Sequence, residues 1–351
     1  MLRNKKEFRL LTAARGVAAL WVVLYHVRDR LSLHISPHVV DVISLGYVAV
    51  DFFFVLSGFV ISLSYSKVFS ENILFKSFVF FIIKRIFRIY PLHLVVLILY
   101  LIIPILYFVF DKQFFFEGRF AIEGYVYSLL LINNWGIVDT LPWNVPAWSI
   151  SAELFAYLCF PILIFCMSRL NRGWTVGAAL VSSLVILLLI FDKYGSGSIG
   201  SNIATLGIFR CVAEFILGIV IFKLYQSGFI DNINWKTLAF CWSTLVMVIF
   251  IGLPDYYYLP LLIFFSILGF VKFEKDSEVN IGAFLNWLGI VSYSIYLCHY
   301  LIKDVLKLIL ETEYTPIWWL ILYIVLTLIM SHFMYNYVEV RGVKLFEKLK
   351  R

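Results

Sequence analysis

The chain has 351 residues, 62% of them hydrophobic and 15% charged, with a mean hydropathy of +0.92. Repeated apolar runs near the bilayer-spanning length describe a polytopic membrane protein, and the short intervals between them exclude a separate soluble domain of ordinary size. The net charge of +7 has a membrane explanation, cations kept on the cytoplasmic side, and calls for no nucleic acid.

One integral-membrane domain over residues 1–351, with a core of roughly 8–340, is therefore expected. Cys159, Cys166, Cys211, Cys241 and Cys298 all lie in apolar segments, without CxxC or metal-ligand spacing, and read as small core residues. The basic N-terminus resembles a signal peptide, but Arg15 in its apolar part and the lack of a small-residue cleavage pattern favour retention.

The first apolar stretch, Leu10 to Val27, carries Arg15 and His26. Eleven residues of helix return them to nearly one face, about 17 Å apart along the axis. Ionisable groups in a spanning segment usually face a bundle interior and mark a site or pathway. The competing reading has Arg15 snorkelling to headgroups and His26 resting at the interface.

Further spans are expected near 43–65, 92–110, 148–168, 174–191, 203–224, 237–253, 257–271, 283–301 and 316–338, about ten transmembrane helices in an all-α bundle. The apolar piece 121–133 is too short to cross and reads as re-entrant or interfacial. If it does not cross, twenty Lys and Arg fall on the cytoplasmic side and seven outside. If it crosses, the split becomes twelve and fifteen. The positive-inside rule selects the first arrangement, with both termini cytoplasmic.

The second span places Asp51 at a depth where a carboxylate must be paired, hydrated or protonated. Its Ser57-Gly58 pair reads as a close helix-packing point. Lys84, Arg85 and Arg88 form a basic site at the cytoplasmic membrane surface, and Pro91 is expected to limit helix continuity beyond it. Arg85 and Arg88 share a helix face, and paired guanidinium groups grip phosphates, as on coenzyme A. The charge alone is also explained as a positive-inside anchor.

The loop before the fourth span brings Trp135, Trp143 and Trp148 to the interface, where aromatic belts form and sugars can stack. Belt roles are expected for Trp135 and Trp143. Ser149 and Glu153 share a face about a turn inside the membrane, where Glu153 is an acid/base or substrate-orienting candidate. Arg210 and Glu214, also four apart, read as a structural intramembrane ion pair. His299 points to the same outer side as His26, His93 reads as structural, and His34 and His38 as surface residues.

The set as a whole resembles acyltransferase family 3, integral-membrane O-acyltransferases that include acetylases of bacterial O-antigen, exopolysaccharide and Nod-factor oligosaccharides. The matching pieces are Arg15 with His26 (R/K-x10-H), VDFFFVLSGFVI from Val50 to Ile61, Arg85 to Arg88 (RxxR before Tyr-Pro), WSISAE from Trp148 to Glu153, RCVAEFILG from Arg210 to Gly218, and SYSIYLCH from Ser292 to His299. They run in order over nearly the whole chain. Val340 departs from the proline often found after the glutamate matching Glu339, and no hydrolase-like domain is expected after the tenth span.

The resemblance implies transfer of an acyl group, most often acetyl, from cytosolic acetyl-coenzyme A or another acyl-coenzyme A to a glycan hydroxyl outside a bacterial inner membrane, without a metal. The glycan would be a cell-surface polysaccharide or its lipid-linked precursor. By resemblance, Arg85 and Arg88 bind the donor, Arg15 lines the route inward and His26 is catalytic. Asp51 or Glu153 is expected to orient His26, while Trp148, Ser149 and His299 serve the acceptor. An imidazole suits either a general base or an acyl carrier. A small-molecule, macrolide-like acceptor and a non-enzymatic transporter remain the alternatives. Against a transporter stand the RxxR site and the absence of paired broken helices.

Overall fold

The computed structural model describes residues 8–169, 173–310 and 315–349. Of the cations used to orient the chain, Arg3, Lys5, Lys6, Arg172, Lys350 and Arg351 lie outside these. The described residues are all-helical, without a strand. Six helices are long and apolar enough to cross a membrane: Pro37–Phe69, Phe75–Val109, Ala147–Arg169, Gly173–Tyr194, Ile203–Gln226 and Ile317–Leu349. A seventh crossing forms if Ala283–Ile290 and Ser292–Ile309, bent by 69°, count as one.

The expected count of about ten spans is thus not confirmed, although each of the ten stretches is helical. Arg9–Tyr25 has 17 residues and Trp235–Ile249 has 15, while Leu259–Asp276 ends on Lys272, Glu274, Lys275 and Asp276. Within 121–133 only Ile122–Leu129 is an α-helix, eight residues long, in keeping with a segment that does not cross.

Pro91 does not end a helix. Phe75–Leu99 runs through it, so Arg85 and Arg88 stand on a long continuous helix rather than an interfacial one. A proline leaves the carbonyl four residues earlier without its helical donor, and neighbouring helices make this tolerable in membranes. Here Gly342 lies so close that a Cβ on it would fall 2.7 Å from Pro91 Cγ and 3.1 Å from the Phe87 carbonyl oxygen.

Ile203–Gln226 is the central helix, packed against Ala49–Phe69, Ala147–Arg169 and Gly173–Tyr194. Small residues set its closest approach. A Cβ on Gly218 would stand 2.0 Å from the Val55 carbonyl oxygen, and one on Gly58 2.1 Å from that of Phe215. Gly58 therefore has the packing role its sequence context suggests.

The same helix pair is locked by charge. Arg210 donates from Nε and Nη2 to the two Asp51 carboxylate oxygens, each at 2.5 Å, and reaches the carbonyls of Ile199 and Tyr47 at 3.2 Å. Both side chains are fully buried. The expected Arg210–Glu214 pair is replaced by this one: a carboxylate from a facing helix accepts a bidentate fork that an i+4 neighbour does not reach. Both Glu214 oxygens lack a hydrogen-bond donor.

Asp51→Ala should therefore cost about 3–5 kcal/mol, the usual penalty for orphaning a buried charge, whereas Glu214→Gln should be neutral or stabilising. Thermal unfolding of the two variants in detergent checks this. Gly218→Leu, which places a side chain in the Val55 backbone, should cost about 1–3 kcal/mol or more in the same measurement.

Candidate active site

The first helix is set by its contact with Ala283–Ile290. Gly16 and Gly289 let the backbones touch, since a Cβ on Gly289 would lie 2.1 Å from the Thr12 carbonyl oxygen. The bend after Ile290 ends that short helix and leaves its last carbonyls needing donors. Arg15 supplies one, with Nη2 at 2.7 Å from the Gly289 oxygen, and the Ser292 hydroxyl another at 2.8 Å.

Arg15 opens on a cavity of about 240 Å³ that also takes in Ser57, Arg85, Arg88, Ser149, Glu153, Tyr157, Tyr293 and Tyr296. Five of the nine nominated site residues thus share one space. The guanidinium groups in it are unequally satisfied. Arg88 Nη1 lies 2.5 Å from Glu339 Oε1, whose Oε2 accepts from the Ser294 hydroxyl at 3.0 Å. Glu339, 2% exposed, is presented by a turn of π-helix over Tyr335–Glu339, an irregularity common at functional sites.

Arg85 stands over the Tyr65 ring at 5.4 Å and has no ion pair among the described residues. The Nε atoms of Arg15 and Arg85 are buried without a partner. Such orphaned donors, lining a cavity, fit an anionic ligand.

Glu153 Oε1 accepts from the Ser57 hydroxyl at 2.5 Å, and the Tyr157 hydroxyl lies 3.5 Å from Ser57. The Ser149 hydroxyl donates to the Pro146 carbonyl at 3.0 Å; with its one proton spent there, it accepts from Tyr296, 2.7 Å away. Neither Asp51 nor Glu153 orients His26, contrary to expectation. Asp51 is held by Arg210, and Glu153 by Ser57.

His26 and His299 form a separate pair beside the cavity. His26 directly follows the last residue of its helix and keeps near-helical angles. Its Nδ1 lies 2.8 Å from the Val22 carbonyl oxygen and 3.2 Å from His299 Nε2, while His299 Nδ1 lies 3.1 Å from the Ile295 oxygen. Each carbonyl accepts only, so the network assigns the proton to Nδ1 on both rings. With that proton directed to Val22, His299 Nε2 only lies beside His26 Nδ1, and His26 Nε2 keeps a bare lone pair. That is the state a general base requires. Tyr296 stands between this pair and the cavity, its ring 6.1 Å from that of His299.

Trp148 lies outside the cavity lining, 5.7 Å beneath the Arg210 guanidinium and edge-on to Phe54. Trp143 is not a belt residue: it is 1% exposed, bonds the Ala121 carbonyl and packs on Phe120 and Tyr125. Trp135 is likewise tied inward, to the Ser151 carbonyl. His93 is a buried structural residue bonded to the Ser128 carbonyl, and His34 and His38 are exposed. The residues not singled out beforehand are Tyr157, Tyr293 and Tyr296, and Glu339 was named without a role. Of the tyrosines, the two last lie inside the SYSIYLCH motif, so position in that motif was the available signal.

Comparison with known proteins matches this arrangement to a family. The chain is 27% identical over 234 residues to the acyltransferase MdmB of Streptomyces mycarofaciens, covering 62% of this chain and 57% of that one. It is 22% identical over 369 residues to YrhL of Bacillus subtilis (strain 168), provisionally assigned as a peptidoglycan O-acetyltransferase, covering 94% and 54%. A provisionally assigned O-acetyltransferase of Staphylococcus aureus (strain COL) is 20% identical over 355 residues, covering 94% and 56%. The chain thus spans little more than half the length of each of these relatives. No solved structure matches it. The acyltransferase 3 profile, described as an acyltransferase domain, matches residues 9–335, and the chain belongs to that family.

Proposed function

We propose that the protein is a multi-pass membrane O-acyltransferase that moves an acetyl group from cytosolic acetyl-coenzyme A to a hydroxyl of a cell-surface polysaccharide or its lipid-linked precursor. The observation that carries this reading is the pairing of an arginine-lined cavity holding unsatisfied guanidinium nitrogens with an adjoining histidine whose Nε2 is free to take a proton. The first recognises an anionic donor and the second activates an alcohol.

In the proposed step the acceptor oxygen attacks the thioester carbonyl carbon as its proton passes to His26 Nε2. A C–O bond forms, the C–S bond breaks, and coenzyme A leaves as a thiolate that takes up a proton. Arg85 and Arg15 hold the donor's phosphates and route its arm inward. Arg88 contributes as an arm fixed by Glu339. The Val22 carbonyl holds His26 in the required tautomer and His299 packs beside its ring, a role different from direct acceptor binding. The inner membrane of a bacterium, with both termini cytoplasmic, is the setting that fits this direction of transfer.

His26→Ala should lower acetyl transfer by at least about 10²-fold, the usual lower bound of a general base, with expression and membrane insertion unchanged. Wild-type turnover would defeat the reading, as would purified protein that consumes no acetyl-coenzyme A with any acceptor. Mass spectrometry of surface polysaccharide with and without the gene identifies the acyl group and acceptor.

Glu339→Gln should act differently. Freed from its carboxylate, Arg88 loses its fixed position, so KM for acetyl-coenzyme A should rise about tenfold, the scale of one charged hydrogen bond, with kcat little changed. Steady-state kinetics in donor concentration separates the two effects.

A further inference from the structure

Cations gather around the aromatic rings that flank His26. The Tyr300 ring is the hub: its centroid lies 5.0 Å from the His26 ring, 4.7 Å from the Arg119 guanidinium and 3.3 Å from Lys303 Nζ. Tyr25, whose ring is 5.1 Å from His26, carries Arg28 at 4.3 Å. Arg30 lies over Trp319 at 4.3 Å, and its charge and that of Lys307 act on Lys303.

Among the described residues the matching negative charge is short. Asp304 is taken by Arg119 at 2.5 Å. Asp29 is 3.8 Å from Arg28 with a side chain 89% exposed, where an ion pair is worth little. Lys303 has no ion pair among the described residues. Five of the seven Lys and Arg assigned to the outer side are in this group, the side on which membrane insertion leaves cations scarce. Membrane topology therefore does not account for their gathering, and two of them, Arg119 and Lys303, lie on the ring that flanks the proposed base.

We propose that this mouth binds an acceptor bearing a negative charge, a sugar carboxylate or a lipid-linked sugar phosphate, with Lys303 as its main contact and Tyr300 and Tyr25 as the surfaces beside the sugar. The proposal rests on His26 being the acyl-transfer base. An anionic group held by Lys303 fixes the acceptor against the Tyr300 ring, so that a neighbouring hydroxyl lies toward His26. Lys303, a half-buried cation, gains an ionic partner that the described residues do not supply.

Equilibrium binding to the full chain in phosphatidylcholine nanodiscs tests this with three probes: a galacturonic acid tetrasaccharide, its carboxyl-reduced neutral counterpart, and a polyprenyl phosphate. At least one anionic probe should bind about tenfold more tightly than the neutral sugar, and added salt should shrink the difference. Which anionic probe prevails separates carboxylate from phosphate. Lys303→Gln should remove most of the preference and Lys303→Arg should restore it, which distinguishes lost charge from lost folding. Equal binding of charged and neutral probes, or an unaltered preference in Lys303→Gln, would overturn the proposal. So would displacement of every probe by phosphatidylglycerol vesicles, which would assign the cations to lipid headgroups. Acetyl-coenzyme A consumption by the wild-type chain is measured in parallel, so that failure of the catalytic reading is seen separately from failure of this one.

Discussion

A guanidinium inside a bilayer has no water to bond to, so each arginine must find its acceptors within the chain or in a ligand. How completely each does so sorts these residues by role. Arg210 is fully provided for, with two carboxylate oxygens and two carbonyls, and it clamps helices. Arg88 has one carboxylate, Glu339, and one face still on the cavity. Arg15 has a single backbone carbonyl, and Arg85 has only an aromatic ring. Unmet hydrogen-bonding capacity therefore rises from the structural clamp toward the cavity, where an anionic molecule would meet it.

The backbone departs from regular helix at the places where this provision is made. The bend after Ile290 exposes the Gly289 carbonyl that Arg15 needs. The π-turn at Tyr335–Glu339 carries the carboxylate that fixes Arg88, and the segment just after it packs Gly342 on Pro91, three residues beyond Arg88 on the same helix. Non-regular backbone at membrane depth is tolerated where protein or a cavity surrounds it. Here each irregularity also aims a polar group.

What could be read in the sequence is what depends on local pattern. Apolar runs of helical length located every long helix, and 121–133, read as too short to cross, holds a helix of only eight residues. Arg15, Arg85, Arg88, Ser149 and Glu153 were chosen as costly polar residues in such runs, and the cavity gathers all five. The errors have a common physical origin, because partner choice is three-dimensional. Arg210 and Glu214 are neighbours on one helix, yet Asp51 on the facing helix offers the better fork. Trp143 sits in an interfacial loop by sequence, and a positive φ of 50° turns its backbone so that the ring enters the core. Glu339 carried no assigned role beside an atypical Val340, since nothing local reveals that its partner is Arg88, 251 residues away.

The arrangement also constrains the kind of donor that fits the proposed reaction. Arg15 and His26 stand about 17 Å apart along one helix axis, with Tyr296 and Ser149 bonded to each other on the cavity wall and the Tyr296 ring beside His299. A donor whose anionic part rests on the arginines must therefore deliver its reactive carbonyl far from that anchor, past a tyrosine hydroxyl. A compact acyl phosphate, with anion and carbonyl adjacent, does not meet this requirement. An acyl-coenzyme A does, because a long, flexible, largely uncharged arm separates its phosphates from its thioester. Given that anchor, the distance built into the first helix fits a thioester donor in the proposed reaction.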